Sequence, residues 1–142
     1  MKDRTISSNS NLLSLTYKEE NPSYTNFLIS SYGDNYIKIN QKKYNIPICV
    51  LGKSFYKFKI NNMLDLTINI LNNLLSEYFK IYDEKAELIL IGLTKKISKS
   101  ILKLKNDCYA QQIPIDIMSL GAACRTTNIL NSENRKVIII LV

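Results

Sequence analysis

One short stretch brings reactive groups together. In Gly121-Ala122-Ala123-Cys124-Arg125 a thiol and a guanidinium follow tiny residues at the expected start of a helix. Tiny residues let backbones approach closely, and a helix start leaves N–H groups free. A cysteine there, beside a cation, has its thiolate favoured. The planar fork of arginine can grip a carboxylate or a phosphate. The stretch therefore offers two chemistries, a redox or nucleophilic thiol and a small-anion site. Set against them, Cys124 also suits the plain role of a small apolar residue packed on a sheet. The chain has no histidine, so a thiol here lacks the usual base, and no Ser-His-Asp or Cys-His unit can form within one chain. Catalysis is the weaker expectation.

Further candidates surround this stretch. Gly92-Leu93-Thr94-Lys95 follows an apolar run read as a buried strand, and ligands of open α/β sheets bind at the carboxyl ends of strands. Ser119 follows the next strand on the same rim. The candidate binding crevice is thus Thr94, Lys95, Ser119, Gly121, Cys124 and Arg125. Arg125 in the first helical turn would oppose the helix dipole and needs a compensating group: Asp116, a backbone carbonyl or an anion. Arg135 would satisfy carbonyls at the end of the same helix. Phe55, Tyr56 and Phe58, interleaved with Lys53, Lys57 and Lys59, form a candidate interaction loop that covers the core, meets a protein or stacks on bases. A single glycine makes no phosphate-binding loop. The cysteines Cys49, Cys108 and Cys124 have no metal-ligand spacing, which points to a reduced compartment. No cofactor and no metal are expected.

These groups need a scaffold, and the apolar pattern supplies one. Ala86 to Ile91, Ile113 to Met118 and Val137 to Val142 are short apolar runs separated by helix-length segments, the pattern of parallel strands buried on both faces. Leu64, Ile68, Leu71 and Leu75, with Leu74 and Tyr78, mark one helix, capped by Asn62 or Asp65. Ile101, Leu104, Cys108 and Tyr109 mark the next, capped by Ser98 or Ser100. Upstream, turn residues at Gly33-Asp34-Asn35 and Asn40-Gln41-Lys42-Lys43 divide short strands into an antiparallel meander. The expected fold is α/β: a three-layer domain with parallel central strands and the N-terminal meander packed at one side. Residues 1–22, polar and rich in Ser and Asn, are expected to be a flexible tail, and 23–142 one domain. Lys2 and Arg4 followed by serines also allow a short organellar presequence, although Asp3, Glu19 and Glu20 are unusual in one.

The run Met118-Ser119-Leu120-Gly121-Ala122-Ala123-Cys124-Arg125-Thr126-Thr127-Asn128-Ile129-Leu130, followed by Ser132-Glu133-Asn134-Arg135-Lys136-Val137, resembles the family of mitochondrial respiratory complex I assembly factor 3. That family takes in the adipogenesis-associated protein of animals and uncharacterised bacterial and archaeal members. Its usual wording is M-D-T-G-A-A-C-R-T-Y-N-I-L, then S-E-G-R-R-V. Glu87 to Thr94 and Ile37 to Tyr44 resemble two further family segments more weakly. Ser119 stands in place of the family's acid, Thr127 in place of its tyrosine, and Asn134 in place of a glycine, a change compatible with a left-handed turn. The resemblance implies the same α/β arrangement. It also implies a non-enzymatic interaction or assembly factor, linked to respiratory complex I (NADH:ubiquinone oxidoreductase) or to a membrane-associated process in bacteria. The alternative is a small-anion-binding or thiol-dependent enzyme at Cys124 and Arg125.

Gross composition fits the first reading. The 142 residues are 46% hydrophobic and 22% charged, ordinary for a soluble globular protein. No apolar run approaches the roughly 18 residues that span a bilayer. The net charge of +7 comes mostly from scattered lysines in a composition rich in Asn, Ile and Tyr, so it reads as solvated surface, and nucleic acid is not the expected partner. A protein partner is expected, at a membrane surface in one version. The expected compartment is the cytoplasm of a bacterium or the mitochondrion of a eukaryote.

Overall fold

The computed structural model describes residues 15–19, 27–58, 60 and 63–142. Among these residues, two sheets and three α-helices form the layers. The larger sheet runs β1-β6-β5-β9-β7-β8, built from β1 (Leu15–Glu19), β5 (Ile48–Leu51), β6 (Ser54–Phe58), β7 (Leu88–Leu93), β8 (Ile115–Ser119) and β9 (Val137–Leu141). Strand β7 pairs in parallel with both β8 and β9, while β5 pairs antiparallel with β9 and β6, and β1 antiparallel with β6. The smaller sheet is an antiparallel meander of β2 (Ile29–Tyr32), β3 (Tyr36–Ile39) and β4 (Lys42–Asn45). Helices α1 (Ile68–Tyr82), α2 (Lys99–Ala110) and α3 (Leu120–Ser132) connect the later strands.

Alternation along each strand splits the core in two. Ile138 and Ile140 of β9, with Ile89 and Ile91 of β7, pack with Leu71, Leu74 and Tyr78 of α1 and Ile101, Leu104 and Cys108 of α2. Val137, Ile139 and Leu141 face the other way, with Leu90, toward α3 and toward Ile37, Ile39 and Tyr44 of the meander. A strand covered on both faces reads as an unbroken apolar run, and all five residues of β9 are buried. The three-layer α/β arrangement with the meander at one side is thus the observed fold. In β8, at the sheet edge, Ile115 and Ile117 are only half-buried and Asp116 is exposed.

Turn chemistry follows the residues. Asn40 and Gln41 both have positive φ (51° and 68°), the geometry of a two-residue hairpin turn. Gly52 turns β5 into β6 with φ 65°. The Tyr82 hydroxyl donates to the Leu51 carbonyl at 2.7 Å and accepts from the Lys53 amide at 3.2 Å, stapling that hairpin to α1. Asn134 has φ 55°, the left-handed turn its position calls for.

Several local expectations need correction. Thr67 caps α1 through the Ile70 amide, because Met63–Asp65 forms a 3-10 turn and Leu66 is buried before the helix begins. Asp65 is therefore not the cap, and Asn62 lies outside the described residues. Leu64 falls off the α1 stripe and is exposed. Ser98 caps α2 as expected, but Tyr109 is 86% exposed, since one helical step turns it about 100° away from Cys108. Within the stretch read as a tail, Leu15–Glu19 pairs as strand β1 on the open edge of β6. Residues 1–14 and 20–22 lie outside the described residues, and with them any presequence.

Candidate functional site

The α3 start is built from its own small residues. Ser119 caps the helix by accepting the Ala122 amide at 3.4 Å. Leu120, Ala123 and Cys124 then turn into the core. A Cβ at Gly92 of β7 would stand 2.6 Å from the Ala123 Cβ and 2.8 Å from Leu141 Cδ2. Gly92 therefore serves close packing of helix on strand, and its value lies in what it lacks. Cys124 is 3% exposed. Burial pushes its thiol up to about 11, only partly offset by the neighbouring Arg125 charge. The same cause, aided by Asp107, pushes the Cys108 thiol up to about 11, and burial raises Cys49 as well. A protonated, enclosed thiol is a small apolar filler rather than a nucleophile.

Arg125 is the sixth residue of α3 and lies in the second turn. The dipole acts mainly within the first turn, so the compensation expected for Arg125 is not required. Its side chain is exposed, and among the described residues it makes no hydrogen bond or ion pair, with Asp116 or otherwise. The Tyr32 hydroxyl lies 2.4 Å and Arg125 Nη1 3.6 Å from the point a Gly121 Cβ would occupy. Gly121 thus lets the Tyr32 ring lie against the first turn of α3, with Arg125 beside it.

Two asparagines, not singled out in the sequence, hold the meander to α3. The Asn128 amide nitrogen donates to the Ile29 carbonyl at 3.1 Å while its Oδ1 accepts the Ile29 amide at 2.8 Å. Buried Asn131 donates to the Phe27 carbonyl at 3.2 Å. The available signal was two asparagines three residues apart on an otherwise apolar helix face, a spacing that puts both on one side. Thr127, where the resembled family has tyrosine, is fully buried, and its hydroxyl has no partner among the described residues.

The remaining candidates lie elsewhere. Ser119 pairs with Leu93, the residue before Thr94, while Gly121, Cys124 and Arg125 do not line the cavity that Thr94 and Lys95 border. That cavity, of about 340 Å³, faces the β2–β3 turn and the β4–β5 connection. Helix α3 starts directly after β8 with no intervening loop. Phe55, Tyr56 and Phe58 form no loop. They belong to β6 and are among the most buried rings in the protein, with Phe55 4.8 Å edge-on from Phe27 and 5.0 Å from Tyr44. They offer no surface to bases or to a protein. The Arg135 amide donates to the Leu130 carbonyl at the end of α3 at 3.0 Å, while its side chain donates through Nε to Glu87, with Glu133 nearby. The Arg135 side-chain hydrogen bond is the main reason the Glu87 carboxyl sits below its usual range. Lys136 pairs with Glu84 at 2.9 Å. These exposed pairs tie the beginning of β9 to the beginning of β7. Among the described residues, no three His, Cys, Asp or Glu side chains are grouped as metal ligands would be.

The layered fold and the α3 packing define an α/β domain with an antiparallel meander on one face. The same architecture occurs in a crystal structure of a Bordetella parapertussis protein, with 24% identity, TM-score 0.59, and coverage of 85% of this chain and 98% of that one. It also occurs in a Bartonella henselae protein described as an outer membrane protein (24%, 0.59, covering 82% and 93%). A third case is a Bordetella pertussis protein described as an Mth938-like domain (20%, 0.60, covering 87% and 90%). Likeness at these identities concerns the fold. The chain belongs to the family described as protein of unknown function (DUF498/DUF598), whose pattern matches residues 29–142. No curated protein matches the chain. Among the described residues no helix is long and apolar enough to cross a membrane.

Proposed function

We propose that the protein is a non-enzymatic interaction factor that presents the outer face of α3 to a protein partner. By the resemblance of residues 118–137, the partner belongs to respiratory complex I during its assembly, or to a related membrane-associated assembly in a bacterium. The observation that carries this reading is the division of labour along one helix. Ser119, Leu120, Ala123, Cys124, Asn128 and Asn131 fix α3 to the sheet and the meander. Arg125 and Ile129, four residues apart and so on one face, both remain exposed, Ile129 at 57%. A guanidinium beside an exposed aliphatic side chain, on a helix held rigid from behind, is a preorganised recognition strip. The burial and raised pKa of Cys124 weigh against the thiol-dependent alternative.

The test is affinity purification of the tagged protein from detergent extracts of its native membranes, compared with Arg125→Ala/Ile129→Asp. The expected result is recovery of complex I subunits by the wild type and their loss with the double variant, at unchanged thermal stability. Equal recovery by both proteins, or none by the wild type, contradicts the proposal.

A further inference from the structure

The sheet edges of this protein are not equally guarded. Open edges invite strand pairing, and bulges, lysines and prolines deter it. Among the described residues, β4 presents Lys42 and Lys43 at its edge. Strand β2 has a register irregularity between Ile29 and Ser31, and Asn128 occupies both backbone groups of Ile29. Strand β1 is irregular between Leu15 and Lys18. Strand β8, at the far edge of the larger sheet, has none of these devices. Its register with β7 runs unbroken to Ser119, and Ile115–Ser119 contains no lysine, arginine or proline.

Backbone direction follows from the register. In a parallel pair, successive residues point N–H and C=O alternately toward the neighbouring strand and away from it. The Pro114 carbonyl accepts the Ile89 amide at 3.0 Å, so residues 114, 116 and 118 bond to β7. The N–H and C=O groups of Ile115 and Ile117, and the Ser119 N–H, then point to the open side. They have no hydrogen-bond partner there among the described residues. Beside them on one face, Lys105, Asn106, Tyr109, Ile113, Pro114 and Ile115 line a cavity of about 480 Å³. Tyr109 is 86% exposed, and Leu102, seven residues earlier and so on the same side of α2, is also exposed.

We infer that this edge pairs with the same edge of a second copy, antiparallel, about a two-fold axis at Ile117. The strand's own sequence fits that register. Ile117 opposes Ile117 of the second copy, and their outward groups exchange both N–H···O bonds. Each Ser119 N–H meets the Ile115 carbonyl of the other copy. Asp116 opposes Met118, so the one charge on the strand does not face itself. Moving the axis one residue toward the N-terminus opposes Asp116 to Asp116. Moving it one residue the other way draws Leu120, already in α3, into the pairing. The axis stands perpendicular to the sheet, so both α2 helices lie on one face and their Leu102 and Tyr109 sides meet. Lys105 stands on that side in both copies and opposes association, as does the net charge of +7. The dimer is therefore weak, of the small, transient kind, and it tightens as salt screens the like charges. The edge carries neither Arg125 nor Ile129, so the inference stands or falls independently of the α3 reading.

The test applies two measurements to the full chain. Sedimentation velocity from micromolar to millimolar protein is expected to show reversible monomer–dimer exchange, tighter at about 0.5 M salt than at about 0.05 M. Hydrogen exchange is expected to slow at the Ile117 and Ser119 amides as concentration rises, while the Asp116 amide, bonded to β7, keeps one rate. Ile117→Lys sets two ammonium groups face to face at the axis and is expected to weaken the dimer at least about tenfold. Because Ile117 is half-buried in the monomer, a second variant is read beside it. Tyr109→Lys, at an exposed position, is expected to weaken the dimer without lowering thermal stability. The inference is overturned by any of four results. These are a monomer throughout at millimolar concentration, a dimer whose Ile117 amide exchanges at the monomer's rate, an Ile117 amide protected equally at every concentration, and a dimer left unchanged by both variants.

Discussion

Replacing Gly92 by alanine isolates the contact that seats α3 on the sheet. The new methyl would meet the Ala123 Cβ at 2.6 Å and Leu141 Cδ2 at 2.8 Å. The leucine terminus can rotate. The alanine methyl is fixed to the helix backbone and cannot, so helix and strand must separate by several tenths of an ångström. Overpacking of this kind costs about 1–3 kcal/mol. Against it, alanine recovers roughly 0.5–1 kcal/mol that glycine loses in a strand interior. Gly92 does not have a positive φ, so backbone strain adds nothing. The net expectation is a loss of about 1–2 kcal/mol, or roughly 2–8 °C in Tm for a chain of this size. Chemical denaturation at constant m-value measures it. A double-mutant cycle supplies the specific check, because Ala123→Gly removes the clashing methyl. Ala123→Gly alone costs about 1 kcal/mol as a glycine inside a helix. In its background, Gly92→Ala should cost nothing or stabilise, giving a coupling of about 1–2 kcal/mol. A Gly92→Ala protein within half a kcal/mol of wild type, or strictly additive variants, would refute the close-packing account of this glycine.

Asn128→Ala removes both hydrogen bonds to the Ile29 backbone and is expected to cost about 1–3 kcal/mol. Hydrogen exchange at the Ile29 amide should accelerate, and unchanged exchange there contradicts the clamp. Thr127→Val deletes a buried hydroxyl without a partner among the described residues and should be neutral or stabilising by up to about 1 kcal/mol. A loss above 1 kcal/mol means the hydroxyl has a partner. The Cys108 and Cys124 thiols are raised from 9.0 to about 11, and Tyr78 from 10.0 to about 12. Between pH 9 and 12 the folded state therefore holds protons that the unfolded chain releases, so stability falls as pH rises through this window. Denaturant midpoints should be nearly level from pH 8 to 9 and drop by pH 11. A level midpoint through pH 11 would show that the thiols are not enclosed.

Much of this architecture was legible because burial leaves a direct mark on residue type. The Val137–Val142 run has no polar interruption, as a strand covered on both faces requires, and the α1 stripe at Leu71, Leu74 and Tyr78 repeats at helical spacing. Strand β6 was not legible. In Ser54-Phe55-Tyr56-Lys57-Phe58 a lysine interrupts the rings and Gly52-Lys53 was not read as a hairpin turn, so the pairing with β5 that buries the rings was missed. The α3 start was legible only in part. Ala122, Ala123 and Cys124 are all small, so apolarity alone does not fix which turns inward, and Cys124 read both as a packed core residue and as a reactive thiol; it is core. The roles of Gly92, Asn128 and Asn131 depend on partners roughly 30 to 100 residues away, a relation no local pattern carries. The cavity that Thr94 and Lys95 border also faces Asp34, Asn35, Ile46 and Pro47, a neighbourhood set by the folding-over of the meander, which no one segment specifies.

The most direct measurement of the interaction claim is the level of assembled, active NADH:ubiquinone oxidoreductase in membranes of cells lacking this protein. It should be read after complementation with wild type, with Arg125→Ala/Ile129→Asp, and with Cys124→Ala. The account predicts a deficit that wild type and Cys124→Ala restore, and that the double variant leaves in place although it accumulates as a folded protein. Full enzyme levels in the deletion strain, or rescue by the double variant together with failure of Cys124→Ala, would contradict it.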